Sequence, residues 1–247
     1  MIPGNSENRL AVVVPTLNEA GNIDKLLGGL TDALRETQYE NEYEIIVVDD
    51  GSTDGTVEQA REWMRQDSRI RVLSRTGERG LAGAVLYGWR RSRANLLGVI
   101  DADLQHPPEL LPKLLQAAER ADIAVASRYS GVHGTTGWNP LRAAISRLST
   151  LAAAPLLSKK GVRVTDPLSG FFLVHRRCIE GLTFQTAGFK LLLEILVRGR
   201  IRTAQEVSYQ FGLRHAGQSK ASATVAFHYL HLLGRLSRDL VLRSSEQ

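Results

Sequence analysis

The chain has 247 residues, of which 43% are hydrophobic and 23% are charged, and its formal net charge is +5. This composition suits one large globular domain, with or without a short appendage. The single cysteine, Cys178, excludes an internal disulfide framework and a cysteine-ligated zinc or iron–sulfur site, and it favours a reducing compartment.

The beginning of the chain lacks the basic and apolar segments of a signal peptide. No stretch reaches the roughly 18 apolar residues of a transmembrane helix. An enzyme of this sequence that worked at a membrane would therefore lie on its surface or bind a membrane-anchoring partner. The positive charge is compatible with an anionic membrane, a nucleic acid or a phosphate-rich small molecule.

The first half of the chain alternates predicted strands with predicted helices. Apolar runs indicate strands buried on both faces at residues 10–15, 44–48, 70–73, 96–100 and 123–126. The predicted helices lie between them, at residues 19–36, 54–67, 80–92 and 107–120, and Asp54 is the expected N-cap of the second. This alternation predicts an α/β fold with a parallel, doubly wound sheet, whose ligands gather at the carboxyl ends of the strands.

The pattern changes after residue 129, where a glycine-rich loop begins. Helices are predicted at residues 141–157, ending near Pro155, and at 187–198 and 221–243. Strands are predicted at 170–174 and 205–211. The last helix is amphipathic, so its apolar face would lie either on anionic lipid or on the protein core.

Aspartates follow two of the predicted strands, at positions 49–50 and 101–103. In an extended segment, Asp103 and Gln105 face the same way as Asp101. Carboxylate and amide oxygens suit Mg²⁺ or Mn²⁺, with diphosphate oxygens completing the coordination. The alternative for residues 101–105 is a solvated acidic loop.

Two further segments have a weaker signal on their own. Residues 49–56 (DDGSTDGT) provide a carboxylate for a base N–H or a ribose hydroxyl, and glycines that allow close approach; a plain strand–turn–helix explains them equally well. Residues 14–19 (VPTLNE) end in Glu19. An acidic residue near the start of a helix is also explained by its favourable interaction with the helix dipole.

These three segments, in this order, resemble glycosyltransferase family 2, the inverting enzymes of the GT-A fold. Later segments resemble its polyprenyl-phosphate (dolichyl-phosphate) mannosyltransferase branch: residues 127–129 (SRY), 165–171 (TDPLSGF) and 214–220 (RHAGQSK), together with Arg142 and Ser146. The resemblance covers about residues 12–220. It implies a Rossmann-like, mostly parallel sheet flanked by helices, with a catalytic domain over 1–220 and a C-terminal amphipathic, interfacial helix over 221–247.

The resemblance also implies a role for each matching residue. The implied catalytic residues are Asp101, Asp103 and Arg128. The implied ligands of Mg²⁺ or Mn²⁺ are Asp103 and Gln105. The acceptor phosphate is implied to face Arg128, Arg142 and Ser146. The nucleotide-sugar site is implied to contain Pro15, Leu17, Glu19, Val48, Asp50, Asp101, Ala102, Asp103, Gln105, Arg214 and Lys220.

The implied reaction is metal-dependent transfer of a sugar, in the first place mannose from GDP-mannose, onto a polyprenyl or dolichyl monophosphate. The implied location is the cytoplasmic face of a membrane, as a peripheral protein. Leu17 stands where the family often has an aromatic residue, which leaves a UDP-sugar such as UDP-glucose as the alternative donor. The loop at 214–220 also differs from the commoner pattern, which has Tyr-Gly-Glu before Ser-Lys.

Functions of other classes fit the sequence less well. No GxGxxG motif follows a strand, as a dehydrogenase would require, and no glycine-rich basic loop follows the first strand, as a nucleotidyltransferase would. A basic membrane- or nucleic-acid-binding module is the non-enzyme alternative. A nucleic-acid-binding module would have a clustered basic patch. The Lys and Arg residues here are dispersed along the sequence, so no nucleic-acid partner is expected.

Overall fold

In the computed structural model, strands and helices alternate as the apolar runs predict. The structure describes residues 9–77, 79–129, 140–184, 190–209, 229 and 231–239, and at 140–146 and 148 it describes the backbone only. The strands are β1 (Leu10–Thr16), β2 (Tyr43–Asp49), β3 (Ile70–Ser74), β4 (Leu96–Val99), β5 (Ile123–Ser127), β6 (Phe172–His175) and β7 (Ala204–Ser208). The helices are α1 (Ile23–Arg35), α2 (Thr56–Gln66), α3 (Leu81–Arg90), α4 (Leu111–Ala118), α5 (Pro140–Lys160) and α6 (Leu191–Arg198).

The seven strands form one sheet in the order β3-β2-β1-β4-β6-β5-β7. All neighbouring pairs are parallel except those of β6, which runs antiparallel to both β4 and β5. The predicted α/β class and mostly parallel sheet are confirmed. Because β6 runs the other way, its first residues lie at the edge where β4 and β5 end.

Helices cover both faces of the sheet, which explains why the strands are apolar throughout. Along β1, Leu10, Val12 and Val14 belong to the core shared with α1 and α4. Ala11 and Val13 belong to the core shared with α3, α5 and α6. In an open α/β fold of this kind, ligands bind at the loops that follow the carboxyl ends of the strands.

Two predicted helix starts need correction. The first helix begins at Ile23 rather than at Glu19, because residues 19–22 form a turn in which the Asn22 amide donates to the Glu19 carbonyl at 2.9 Å. The second begins at Thr56, with Gly55 at the cap position in a left-handed conformation (φ 96°). Asp54 instead accepts hydrogen bonds from the amides of Ala20 and Thr56, at 3.0 and 3.1 Å.

The helix predicted to end near Pro155 continues through it to Lys160. A proline inside a helix removes one backbone hydrogen bond, to the carbonyl four residues earlier. That residue is Leu151, which is 65% exposed. Water can hydrate a carbonyl on this side of the helix, so the lost bond does not end α5.

The C-terminal helical residues 231–239 pack against the sheet domain. Leu236 is fully buried in the same core as α5 and α6, and Tyr229 is buried there and donates its hydroxyl to the Ser149 carbonyl. Between the helices, the buried Glu194 carboxylate accepts a hydrogen bond from Arg198 at 2.7 Å and lies 3.7 Å from Arg235. The apolar face of this part of the last helix therefore packs against the protein core.

Within the described residues, no helix is both long and apolar enough to span a bilayer.

Cys178 is buried, and its thiol donates weakly to the Asp122 carbonyl at 4.0 Å. Burial, with the nearby Asp122 charge, raises the pKa of the Cys178 thiol to about 11. We expect the native protein to react with a thiol reagent at pH 8 at least about tenfold more slowly than the unfolded chain, since the thiolate is the nucleophile. Equal rates in buffer and in denaturant would contradict this burial.

Candidate functional site

The ends of β1 and β2 bring together four of the residues implied for the nucleotide. Pro15 pairs with Val48 in the register of the two strands. The Asp50 amide then donates to the Thr16 carbonyl at 3.1 Å, which continues the pairing past the end of β2. Leu17 follows β1 directly and is partly exposed.

The loops after β1 and β2 are hydrogen-bonded to each other. The Asn18 amide donates to the Ser52 hydroxyl at 2.8 Å, and the Asn18 side-chain oxygen accepts from the Thr53 amide at 2.9 Å. The Glu19 amide donates to the Thr56 hydroxyl at 2.8 Å. The two sequence motifs at 14–19 and 49–56 therefore form one structural unit.

The two aspartates after β2 have different surroundings. The Asp49 carboxylate accepts hydrogen bonds from the Thr16 hydroxyl at 2.9 Å and from the amides of Gly51 and Ser52 at 2.9 and 2.8 Å. These bonds tie Asp49 to the end of β1 and to the loop that follows β2. Asp50 instead forms a two-point ion pair with Arg75, a residue to which the sequence analysis assigned no role.

Residues 101–105 form a turn and not an extended segment, so the predicted alternation of side chains is wrong. Leu104 has a left-handed backbone (φ 58°), and the Asp103 carboxylate accepts a hydrogen bond from the Gln105 amide at 3.1 Å. Asp103 and Gln105 are each 7% exposed. The turn, not the strand pleat, keeps Asp103 and Gln105 together.

Asp101 lies against the backbone at Gly170, just before β6. A Cβ atom at position 170 would lie 1.9 Å from Oδ2 of Asp101, far inside van der Waals contact. Only a glycine lets the carboxylate occupy this place. Ala102, between the two aspartates, is buried.

Arg128, directly after β5, is held by Asp166. Its Nε and Nη2 atoms each donate to the Asp166 carboxylate at 2.6 Å, and its amide donates to Oδ2 at 3.1 Å. Burial opposes the charged form of Arg128, but the hydrogen bonds and charge of Asp166 outweigh it and raise the pKa of the guanidinium. Glu206 on β7 supports this loop by accepting from the amides of Thr165 and Asp166, at 2.9 and 3.0 Å.

Two aromatic side chains, His106 and Tyr209, lie within electrostatic range of Arg128. The His106 ring lies 5.4 Å from the Tyr209 ring, and burial with the nearby Arg128 charge lowers the pKa of His106 to about 3. Burial raises the pKa of Tyr209, which is within electrostatic range of Arg128, Asp101 and Asp103. The carboxylates after β4 and the arginine after β5 therefore lie within electrostatic range of the same tyrosine.

Lys190, at the start of α6, belongs to the same region. Burial and then the Arg128 charge lower the pKa of its ammonium, whereas the charges of Asp101 and Asp166 oppose this change. No sequence pattern by itself points to Lys190, Asp166 or Gly170, although the last two lie in the segment 165–171 that resembles the family. Their contacts join residues far apart in the chain, so only the fold reveals them.

The donor atoms at residues 101–105 fit a hard divalent cation. Asp103 supplies a carboxylate and Gln105 an amide oxygen, both held in one turn. Among the described residues, no group of three His, Cys, Asp or Glu side chains is arranged to hold a metal. Mg²⁺ is commonly bound by one or two protein carboxylates, with substrate phosphates and water as its other ligands.

Four implied site residues are not described in full. Arg214 and Lys220 lie outside the described residues. Arg142 and Ser146 lie in the first turns of α5, where the structure describes the backbone only.

Replacing Asp166 by asparagine should destabilise the fold by about 3 kcal/mol, because removing one partner of a buried ion pair leaves the other charge uncompensated. Asp166 is fully buried and its partner Arg128 is 12% exposed. Denaturant unfolding of Asp166→Asn measures this loss. Asp32→Asn is the matched control, since the Asp32–Arg35 pair is exposed and should be worth less than about 1 kcal/mol. Equal losses of stability in the two variants would show that the buried Asp166–Arg128 pair contributes no more to the fold than an exposed pair does.

Three curated relatives match nearly the whole chain, and all are named dolichol-phosphate mannosyltransferase. The Pyrococcus furiosus protein is 38% identical over 232 residues, which are 93% of this chain and 64% of the relative. The Mycosarcoma maydis protein is 37% identical over 92% of this chain and 79% of its own length. The Saccharomyces cerevisiae protein is 35% identical over 92% of this chain and 86% of its own length. The chain thus spans less than two thirds of the archaeal relative.

Solved structures of Mycobacterium tuberculosis glucosyl-3-phosphoglycerate synthase share the fold. The complex with UDP has a TM-score of 0.65 at 21% identity, covering 95% of this chain and 86% of that one. The complex with Mn²⁺, UDP-glucose and phosphoglyceric acid has a TM-score of 0.64 at 21% identity, covering 95% and 77%.

A model of one protein family, described as glycosyl transferase family 2, matches residues 11–183, which include the loops after β1, β2, β4 and β5. The resemblance seen in the sequence is thereby confirmed. The chain belongs to glycosyl transferase family 2.

Proposed function

We propose that this chain transfers a sugar from a nucleotide-sugar onto the phosphate of a polyprenyl lipid of the dolichyl type. Mannose from GDP-mannose is the first candidate donor. The names of the three curated relatives support this acceptor and this sugar. The observations that support the proposal are the turn at 101–105 and the Arg128–Asp166 pair, which follow β4 and β5, the two strands on either side of β6.

The acidic turn suits the leaving group, a nucleoside diphosphate that gains negative charge as the sugar bond breaks. Asp103 and Gln105 are the residues that would hold Mg²⁺ or Mn²⁺. When bound, the ion would neutralise part of the charge on the diphosphate, and stabilising developing charge is usually the largest contribution to catalysis. Arg214 and Lys220 are proposed to contact the same diphosphate.

The basic group suits the acceptor, a phosphate monoester. Its second pKa is about 6, as in phosphoserine, so at neutral pH the phosphate is already an anionic nucleophile. Arg128, with Arg142 and Ser146, is proposed to align it by charge-assisted hydrogen bonds. A phosphate oxygen then forms a bond to the anomeric carbon as the bond to the diphosphate breaks, and one displacement inverts that carbon.

Asp166 has a defined part in this scheme. It holds the Arg128 guanidinium in a fixed plane through two hydrogen bonds of 2.6 Å. A fixed arginine can align a phosphate without losing side-chain freedom on binding, and such positioning lowers the barrier of the reaction. We propose that the protein works at the cytoplasmic surface of a membrane, because its proposed acceptor is a membrane lipid. A membrane-anchoring partner is compatible with this location.

A UDP-sugar donor is the second candidate, and one observation favours it. The side chain after β1 that would face the base is Leu17, an aliphatic residue without the stacking surface of an aromatic ring. A transferase with the same fold binds UDP-glucose in its crystal structure.

The test is a transfer assay with two labelled donors. The purified chain is incubated with Mg²⁺ or Mn²⁺, a short dolichyl phosphate and either GDP-mannose or UDP-glucose, and label that enters organic solvent is counted. We expect label from GDP-mannose, and its loss when metal is chelated. Label from UDP-glucose alone would select the second candidate. Binding of a nucleotide-sugar without any transfer to lipid would contradict the lipid-phosphate acceptor.

A further inference from the structure

Arg75 has no role in the proposed function, yet its side chain is buried and makes three hydrogen bonds. It follows β3, and its Nε and Nη2 atoms donate to the two oxygens of Asp50 at 2.7 and 2.8 Å. Nη2 also donates to the Gly80 carbonyl at 3.1 Å. The Arg75 and Asp50 side chains are only 9% and 7% exposed.

The start of α3 is built to accommodate this guanidinium. A Cβ atom at Gly83 would lie 2.7 Å from Nη1 of Arg75, so the arginine lies directly on the helix backbone. The Gly80 amide donates to Oδ2 of Asp50 at 2.8 Å. The Asp50 carboxylate is therefore fixed by three donors from two segments of the chain.

The hydrogen bonds of Asp50 are unevenly divided between its two oxygens. Oδ2 accepts two hydrogen bonds and Oδ1 accepts one, counting donors in the described residues. Each carboxylate oxygen accepts about two. Oδ1 can thus accept one N–H or O–H of a ligand while the ion pair stays intact. Arg75 also offsets a negative charge that would otherwise repel a diphosphate.

We propose that Arg75 is a positioning residue for the nucleotide: it fixes the Asp50 carboxylate so that one oxygen accepts a hydrogen bond from the base or the ribose. The inference rests on the nucleotide-binding role proposed for Asp50. An arginine at such a two-point contact is not replaceable by lysine, whose ammonium is a point charge.

A second ion pair provides a control for the alternative that the Arg75–Asp50 pair has a purely structural role. In that alternative, the Arg75–Asp50 pair only joins β2 to β3. Arg71 and Glu44 lie on the same two strands, away from their carboxyl ends, and are 2.6 Å apart. A purely structural role predicts that Arg71→Met and Arg75→Met behave alike. A positioning role predicts that only Arg75→Met affects the nucleotide.

The experiment measures the Kd of GDP and of UDP by calorimetry with Mn²⁺ present. For the nucleotide that the unmodified chain binds, we expect Arg75→Met to raise the Kd about tenfold or more, a cost typical of losing a partner that orients a ligand-binding group. Arg75→Lys should raise it nearly as much, and Arg71→Met should leave it unchanged. In the transfer assay, the KM for the donor should rise in Arg75→Met more than kcat falls.

A double-mutant cycle shows whether Arg75 acts through Asp50. In the Asp50→Asn background, adding Arg75→Met should change the Kd less than about twofold. A full additive effect would overturn the inference, as would an unchanged Kd in both single Arg75 variants. If Arg75→Met does not fold by circular dichroism, Arg75→Lys decides in the same way. Failure of the unmodified chain to bind either nucleotide would overturn the proposed function itself, and this inference with it.

Discussion

Replacing Asp103 by asparagine should lower kcat by about a thousandfold, because the variant loses the one charged ligand proposed for the metal ion. The change keeps the shape of the side chain. Asparagine also keeps an oxygen that can accept the hydrogen bond from the Gln105 amide, which is 3.1 Å long with Asp103 as the acceptor. The turn should therefore persist. The loss should therefore be one of charge at the leaving group and not of folding.

The measurement is kcat for the donor selected in the transfer assay, as a function of Mn²⁺ concentration. In Asp103→Asn the concentration needed for half-maximal activity should rise together with the fall in kcat. Asp32→Asn removes a carboxylate that is exposed on α1 and should leave both values unchanged. Full activity of Asp103→Asn with an unchanged metal requirement would refute the proposed metal site.

Replacing Gly170 by alanine should lower kcat/KM by about a hundredfold, because an added methyl group cannot share space with Asp101. Its Cβ would lie 1.9 Å from Oδ2, 2.5 Å from Cγ and 2.9 Å from Oδ1 of that residue. The carboxylate must therefore move away from its place. A displacement of about 1 Å at a reacting group is enough for a loss of this size.

Two comparisons separate this steric effect from general damage. Gly234→Ala adds a methyl group where nothing lies within 4 Å, in the helical residues 231–239, and should keep full activity while gaining up to about 1 kcal/mol of stability. In an Asp101→Ala background, the change at Gly170 should cost almost nothing more, since the clash has been removed. An additive loss in the double variant would show that Gly170 acts by another route.

Much of the fold follows from local pattern. The apolar runs at residues 10–15 and 44–48 are buried on both faces, because helices cover both sides of the sheet. A parallel sheet then brings the residues after each strand to one edge. This is why the acidic motifs at 49–50 and 101–103 could be assigned to a common site before their contacts were known.

The errors of the sequence analysis are also local. The spacing of the polar residues at 101–105 predicts an extended segment, but Leu104 adopts a left-handed backbone that ends the alternation of side chains. The proline predicts that α5 ends near residue 155, but Pro155 is accommodated inside the helix. In both places a residue preference was overruled by the surrounding structure, which stabilises a turn or a helix that the isolated segment does not favour.

The fold class, the family and the motifs at the strand ends can all be predicted from the sequence, because strand period, burial and short motifs are properties of neighbouring residues. The pairing of the charged groups, in contrast, is visible only in the folded chain. Arg75 meets Asp50 across 25 positions and Arg128 meets Asp166 across 38. Gly170 reaches Asp101 because β6 runs antiparallel to β4. These contacts depend on the order and direction of the strands in the sheet, which local sequence patterns do not specify.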